Sequence, residues 1–184
     1  MFFFSNNNNQ NITSGSLEHA YLAVLNDDLD SAKLLFSNID SPRAKWGLIF
    51  VEILSGYLQN SPTYFEIRNF LEIDLDFLLK NNKIQYVEQF LGAADLLSNI
   101  NQETFKYIAR VMYENSLFNA AQKYMDKSKE LFYNDPELHF MYAKFYIHER
   151  LFTKANHHID ECLKILPDYF PAKKLKETIS TFLN

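Results

Sequence analysis

The stretch Leu117-Phe118-Asn119-Ala120-Ala121 returns 34 residues later as Leu151-Phe152-Thr153-Lys154-Ala155. Both copies place a leucine, a phenylalanine and an alanine at the same positions. The same offset relates further core-type positions on either side: Ile108 with Tyr142, Ala109 with Ala143, Met112 with Tyr146, Met125 with Ile159, and Ser128 with Cys162. A fixed period of this length indicates a helical-repeat protein, in which each repeat is one pair of helices.

Apolar residues recur at intervals of three and four from Ser16 onward, which is typical of amphipathic helices. Polar breaks divide this pattern into predicted helices at 16–26, 29–39, 42–58, 62–80, 83–98, 102–114, 117–133, 136–149, 152–166 and 170–183. Three helices are expected to start at a capping side chain followed by proline: Ser41-Pro42, Ser61-Pro62 and Asp135-Pro136. Because the joints are short, neighbouring helices should run antiparallel.

The period and its residues resemble the tetratricopeptide repeat (TPR) family. The copy at 136–169 carries Tyr142-Ala143, Tyr146, Phe152, Ala155, Ile159, Cys162 and Leu166-Pro167, and the copy at 102–135 matches it at Phe105, Ile108, Ala109, Met112, Phe118 and Ala121. A third copy in this register would be 68–101, although Asp74 stands at a normally apolar position and Val87 replaces a small residue. The resemblance implies an all-α, right-handed α-solenoid of antiparallel helical hairpins, with about ten helices and a C-terminal capping helix.

The ends and the composition suggest how the chain is organised and where it works. Residues 1–15 are expected to be a disordered, Asn-rich tail, and residues 16–184 one helical repeat domain. A net charge of −5 argues against a nucleic-acid partner. The single cysteine, Cys162, fits a reducing compartment. With no stretch of membrane-spanning length and no secretory signal pattern, we expect a cytoplasmic protein without a membrane partner.

The sequence offers no catalytic constellation. No phosphate-binding glycine loop or nucleophile elbow occurs, and the clustered carboxylates look like solvated helix faces. His158 and Cys162 lie one helical turn apart, but Cys162 falls on a core position of its repeat and no second ligand pair lies nearby. We therefore expect no enzymatic activity, no metal and no cofactor.

The resemblance also implies a working surface, because TPR proteins line a concave groove with fixed positions of each first helix. Carried onto this sequence, those positions are Glu103, Lys106, Arg110, Tyr113 and Glu114, then Glu137, Phe140, Lys144, Ile147 and His148, with Lys174 on the closing helix. Lys106, Arg110, Lys144 and Lys174 would form a positive stripe, with Tyr113 and Phe140 as apolar platforms. Alternatively, these cations only balance Glu103, Glu114 and Glu137. Arg110 and Met141 occupy places where carboxylate-clamping members carry asparagines, so that clamp is not expected.

The leading prediction is a non-enzymatic scaffold or adaptor that binds an extended protein or peptide segment, with acidic groups, in this groove. Two alternatives stay open at this point. The size, acidity and helical build also resemble a small secretion-type or assembly chaperone with one dedicated client. A structural protein that self-assembles end to end is the other, since aromatic-rich helical arrays can stack on themselves.

Overall fold

The computed structural model describes the backbone of residues 11–183 and the side chains of residues 17–180. Every regular element in this range is helical. The helices are α1 (Asn11–Leu25), α2 (Leu29–Ser37), α3 (Pro42–Leu54), α4 (Tyr64–Phe70), α5 (Asp76–Lys80), α6 (Ile84–Gly92), α7 (Ala94–Ile100), α8 (Thr104–Glu114), α9 (Phe118–Leu131), α10 (Pro136–His148), α11 (Phe152–Ile165) and α12 (Phe170–Leu183). A π-helical segment, Leu71–Leu75, joins α4 to α5.

Most helix boundaries agree with the predicted ones to within a few residues, and the exceptions have local causes. The first ten residues of the predicted tail lie outside the described range, and α1 begins at Asn11 rather than at 16. Helix α3 ends at Leu54 rather than at 58 because Gly56 adopts a φ of 70° and turns the chain. The predicted helix 83–98 is interrupted at Ala93 and forms α6 and α7.

Of the three helix starts predicted from a capping residue followed by proline, two are confirmed. Ser41 and Asp135 both accept hydrogen bonds from amides of the first turn, those of α3 and α10. The predicted cap at Ser61-Pro62 is wrong, because α4 begins two residues later at Tyr64. There the Glu66 carboxylate accepts hydrogen bonds from the amide and hydroxyl of Thr63, both at 2.8 Å, and this capping box fixes the start of the helix.

Three hairpin turns repeat one backbone geometry at the predicted period. Asn82, Ser116 and Arg150, spaced 34 residues apart, have φ values of 56°, 62° and 58°. After each of them the next amide reaches back to the helix that has just ended: Lys83 to the Leu78 carbonyl, Leu117 to Met112, and Leu151 to Tyr146, at 3.0, 2.8 and 2.8 Å. These are Schellman-type helix ends, here built on non-glycine residues. The turn expected within the third copy, 68–101, is therefore present in the backbone.

The chain divides into two compact units, one up to Leu96 and one from Leu97 onward. The N-terminal unit has an aromatic core in which Phe50 packs edge-on against Phe77 and Phe90, with ring centroids 6.4 and 5.7 Å apart. Gly47 permits close helix packing there, because a Cβ atom at this position would lie 2.3 Å from the Phe36 ring.

Asp74 stands where the repeat pattern requires an apolar residue, and the structure accounts for it. Its carboxylate is fully buried in the π-helical segment. The Arg43 guanidinium pairs with both of its oxygens, and the Tyr21 hydroxyl donates to it at 2.7 Å. Burial raises the pKa of Asp74 to about 7, although Arg43 acts in the opposite direction. A buried ion pair thus takes the place of an apolar contact.

The C-terminal unit contains the two clearest repeat copies. Ala109, Ala121, Ala143 and Ala155 are all completely buried, as expected for residues at close helix contacts. Ala143 and Ala155 share one core cluster with Ile159 and Cys162, and Ala172 and Ile179 of α12 complete it. Lys173, Lys174, Lys176 and Glu177 on the same helix are exposed. Helix α12 therefore closes the last hairpin in the way predicted for a terminal cap.

Candidate binding site

A cavity of about 190 Å³ lies in the C-terminal unit between residues of α8, α10 and the turn before α12. Its lining residues are Arg110, Tyr113, Glu114, Glu137, Phe140, Met141, Lys144 and Tyr169. Six of these eight occupy the groove positions implied by the repeat resemblance. The structure therefore brings together Arg110, Tyr113, Phe140 and Lys144 of the predicted site residues.

Lys144 is the cation of this cavity that lies against aromatic rings. Its ammonium lies 4.9 Å from the centroid of the Tyr113 ring and 5.9 Å from that of Phe140. The Tyr113 hydroxyl donates a hydrogen bond to the Lys144 carbonyl oxygen at 3.3 Å, which ties α8 to α10. Within the described residues Lys144 forms no ion pair with a carboxylate. An aromatic-flanked ammonium of this kind keeps its charge available to a ligand.

Arg110 is less available, because it is already paired. Its guanidinium lies 3.2 Å from the Glu137 carboxylate, and its side chain is only 19% exposed. Glu114 follows one helical turn later and contributes a second carboxylate to the lining. Arg110 and Lys144 are thus matched in number by Glu114 and Glu137. Arg110 therefore fits the alternative interpretation, in which the groove cations balance the groove carboxylates, better than it fits a ligand-binding role.

Lys106 does not line the cavity, contrary to the expectation of a cation exposed in the groove. It is 2% exposed, and its ammonium lies 2.7, 2.6 and 3.1 Å from carboxylate oxygens of Glu103, Asp135 and Glu137. Burial alone would lower the pKa of Lys106, but its hydrogen bonds to Asp135 and Glu103 outweigh burial and raise the pKa above its ordinary value. The positive charge of Lys106 is therefore neutralised by carboxylates within the protein and is not available to a ligand.

His148 and Lys174 also lie outside the cavity lining. The His148 ring stacks on Phe118, with centroids 3.7 Å apart, and its Nε2 lies 4.0 Å from the neighbouring Glu149 carboxylate. Lys174 is exposed on α12. The predicted stripe of four cations is therefore reduced to Lys144 and the paired Arg110 at this cavity.

Met141 and Tyr169 line the cavity but were not among the predicted site residues. The Tyr169 ring meets Phe140 edge-on at 5.4 Å, so it extends the apolar wall. The 34-residue spacing could have indicated Tyr169, because it lies 34 residues after Asp135, directly before the helix α12 that follows the last repeat. Burial raises the pKa of the Tyr113 hydroxyl, so the aromatic wall stays neutral at physiological pH.

The same unit also contains buried histidine and cysteine side chains. His139 and His158 are buried, and their Nδ1 atoms lie 3.0 Å apart. Burial raises the pKa of the Cys162 thiol to about 11, which keeps it protonated. In the part of the chain that the structure describes, no group of three or more His, Cys, Asp or Glu residues could hold a metal ion. Over the same residues, no helix is both long and apolar enough to cross a membrane.

No family model matches the sequence, and no curated protein matches it either. A chain of the Cut9–Hcn1 hetero-tetramer of the APC/C aligns with a TM-score of 0.47 at 17% identity, over 91% of this chain and 36% of that one. The chain thus spans about a third of that structure's length. The C-terminal part of a TPR repeat-containing protein from Cytophaga hutchinsonii aligns with a TM-score of 0.52 at 15% identity, over 89% of this chain and 69% of that one.

The second of these similarities concerns the fold. Together with the all-helical elements and the repeated turn at Asn82, Ser116 and Arg150, it confirms the fold class predicted from the 34-residue offset. The chain has an all-α, TPR-like helical-repeat fold.

Proposed function

We propose that the chain is a non-enzymatic interaction scaffold that binds an extended segment of a partner protein at the α8–α10 cavity. Helical-repeat folds of this kind commonly present binding surfaces built from successive first helices. The cavity between α8 and α10, the first helices of the two clearest repeat copies, supports the proposal. Its volume, about 190 Å³, is below the roughly 300–1,000 Å³ of small-molecule pockets and suits a single side chain.

The observation that carries this proposal is Lys144, whose ammonium has no carboxylate partner among the described residues and is held over Tyr113 and Phe140. An acidic side chain of the ligand would pair with Lys144. An apolar neighbour in the same segment would pack on Phe140, Met141 and Tyr169. Aromatic walls supply apolar area, and the single cation fixes the register of the bound segment.

The apolar surface that a bound segment would bury sets the scale of the affinity. Burying a few hundred Å² of apolar ligand surface contributes several kcal/mol at about 25 cal/mol per Å², before the cost of ordering the segment. Together with one ion pair, this favours binding on the micromolar scale, about −8 kcal/mol.

Fluorescence anisotropy with a library of labelled acidic peptides tests the proposal. Lys144→Gln should weaken the best peptide about tenfold, because it removes the charge and keeps a polar, unbranched side chain. Lys154→Gln is the matched control, since the Lys154 ammonium also lies over a tyrosine, Tyr146, at 5.4 Å, but outside the cavity lining. Unchanged affinity in Lys144→Gln, or equal loss in both variants, would contradict the site.

A further inference from the structure

A second cleft, of about 510 Å³, lies in the N-terminal unit between the start of α3 and α4. It is lined by Asp40, Ser41, Pro42, Lys45, Trp46, Phe65, Glu66 and Asn69. None of these residues takes part in the site around Lys144. The repeat pattern did not single out this region, because the hairpin that carries Trp46 has no clear register.

Aromatic side chains are the first unusual feature of this cleft. Phe65 is 82% exposed although it lines the cleft, and the adjacent Tyr64 is 47% exposed. Their rings meet edge-on at 5.3 Å, which extends the apolar surface beyond the cleft. Trp46 is half-buried in the cleft wall. Clustered exposed aromatic rings beside a concavity are typical of a binding surface.

Carboxylates are the second feature. Among the described residues Asp40 forms no ion pair, and the Glu66 carboxylate uses its Oε2 for the Thr63 cap while its Oε1 has no such role. The N-terminal unit as a whole, up to Leu96, holds 12 acidic and 6 basic residues. Among the described residues, Lys45 is the single basic residue that lines the cleft. At the cleft itself Asp40 and Glu66 outnumber Lys45, and this difference favours a cationic ligand.

We propose that this cleft binds an arginine side chain within a segment of a partner protein. The guanidinium would stack on Trp46 and Phe65, and the carboxylates of Asp40 and Glu66 would accept its N–H groups. Arginine fits better than lysine, because its planar group stacks on aromatic rings and donates to two acceptors in fixed directions. Apolar residues flanking the arginine would cover Tyr64 and the outer face of Phe65.

The two sites prefer ligands of opposite charge, so this inference does not depend on the site at Lys144. A partner segment that carries an acidic group would be captured at the C-terminal unit. A segment that carries an arginine would be captured at the N-terminal unit. If the acidic peptide fails to bind, binding of the arginine peptide can still be measured, and the reverse also holds.

Trp46 is the single tryptophan of the chain, so its intrinsic fluorescence reports on this cleft alone. The full chain is titrated with the capped peptide Ala-Leu-Arg-Leu-Ala, and in parallel with the same peptide carrying neutral citrulline in place of arginine. We expect a saturable change in Trp46 emission with the arginine peptide. The citrulline peptide should bind at least about fivefold more weakly, because it keeps the shape but loses the charge.

Variants separate the carboxylates from the fold. Asp40→Asn and Glu66→Gln should each weaken the arginine peptide about fivefold, and the glutamine amide oxygen of Glu66→Gln can still accept from Thr63. Lys144→Gln should leave this titration unchanged. No saturable response of the wild-type chain, or equal binding of the arginine and citrulline peptides, would overturn the inference. Identical curves for the wild type, Asp40→Asn and Glu66→Gln would also overturn it.

Discussion

The Nζ of Lys106 lies 2.6 Å from Oδ2 of Asp135, while Oδ1 of the same carboxylate accepts hydrogen bonds from the amides of Glu137 and Leu138 at 2.8 and 3.2 Å. One buried carboxylate thus both caps α10 and neutralises a buried lysine of α8. The pair links successive first helices across 29 residues of sequence. It holds in place the two helices that supply most of the cavity lining.

Lys106→Met should destabilise the C-terminal unit by about 3 kcal/mol, because it leaves Asp135 buried without its cation. Urea denaturation followed by far-UV circular dichroism measures this change. The double variant Lys106→Met/Asp135→Asn should regain part of the loss, since asparagine still caps a helix and carries no charge. Lys123→Met, at an exposed position of α9, is the control. A cost in Lys106→Met no greater than in this control would contradict the role of the pair.

The buried histidine pair predicts an acid-sensitive stability. Burial lowers the pKa of His158 to about 4, helped by His139, His157 and Lys129. The unfolded chain binds a proton on this residue near pH 6.5, whereas the folded chain does not. The stability that depends on the neutral His158 imidazole is therefore complete above about pH 6.5. It is lost as the pH falls towards 4, and it amounts to about 3 kcal/mol.

Urea midpoints of the wild type and of His158→Leu, measured between pH 7 and pH 4, compare the pH dependence of stability with and without this imidazole. The readout is the slope against pH and not the absolute stability. The wild type should lose stability more steeply than the variant on acidification. Parallel slopes would show that the His158 imidazole is not protonated on unfolding.

Gly47→Ala should destabilise the N-terminal unit by about 1–3 kcal/mol. The added methyl group would overlap the Phe36 ring, which is 1% exposed and has little room to move. Gly92→Ala is the matched control, because a Cβ built there meets no atom within 4 Å beyond its chain neighbours and the backbone of its own helix. This helical position should gain up to about 1 kcal/mol from the better helix former. Trp46 fluorescence during urea denaturation follows both variants, and equal stabilities would contradict the tight packing.

Glu114→Gln should strengthen the binding of acidic peptides about threefold, because it removes a carboxylate from the cavity that holds Lys144. Glu130→Gln, on the exposed face of α9, should leave the affinity unchanged. Anisotropy titrations at low and physiological salt compare the two variants. The difference should shrink at the higher salt concentration, since exposed charges are screened. Weaker binding in Glu114→Gln would show that this carboxylate contacts the ligand.

The repeat architecture could be predicted from the sequence because small residues are required wherever two helices approach closely. Ala121 and Ala155 are both completely buried, and each lies near the start of its second helix after the same left-handed turn. The turn residues themselves, Asn82, Ser116 and Arg150, share no chemical type. Their equivalence could be inferred only from the spacing.

The candidate site could be predicted only in part. The repeat resemblance indicates which positions of the backbone line the groove, but not which side chains pair with each other. Arg110, Tyr113, Phe140 and Lys144 do meet at one cavity. The burial of Lys106 depends on Asp135, which the sequence indicated only as a helix cap. A pattern along the chain does not show that one carboxylate serves two helices.

The shared geometry of the turns at Ser116 and Arg150 bears on how such a chain can grow. Both residues adopt a φ near 60°, and both are followed by a leucine amide bonded to the helix before it at 2.8 Å. A duplicate of residues 117–150 inserted after Arg150 would therefore meet matching backbone at either junction. Tandem duplication could lengthen this protein by whole modules without a new connecting loop, whereas an insertion of any other length would need one.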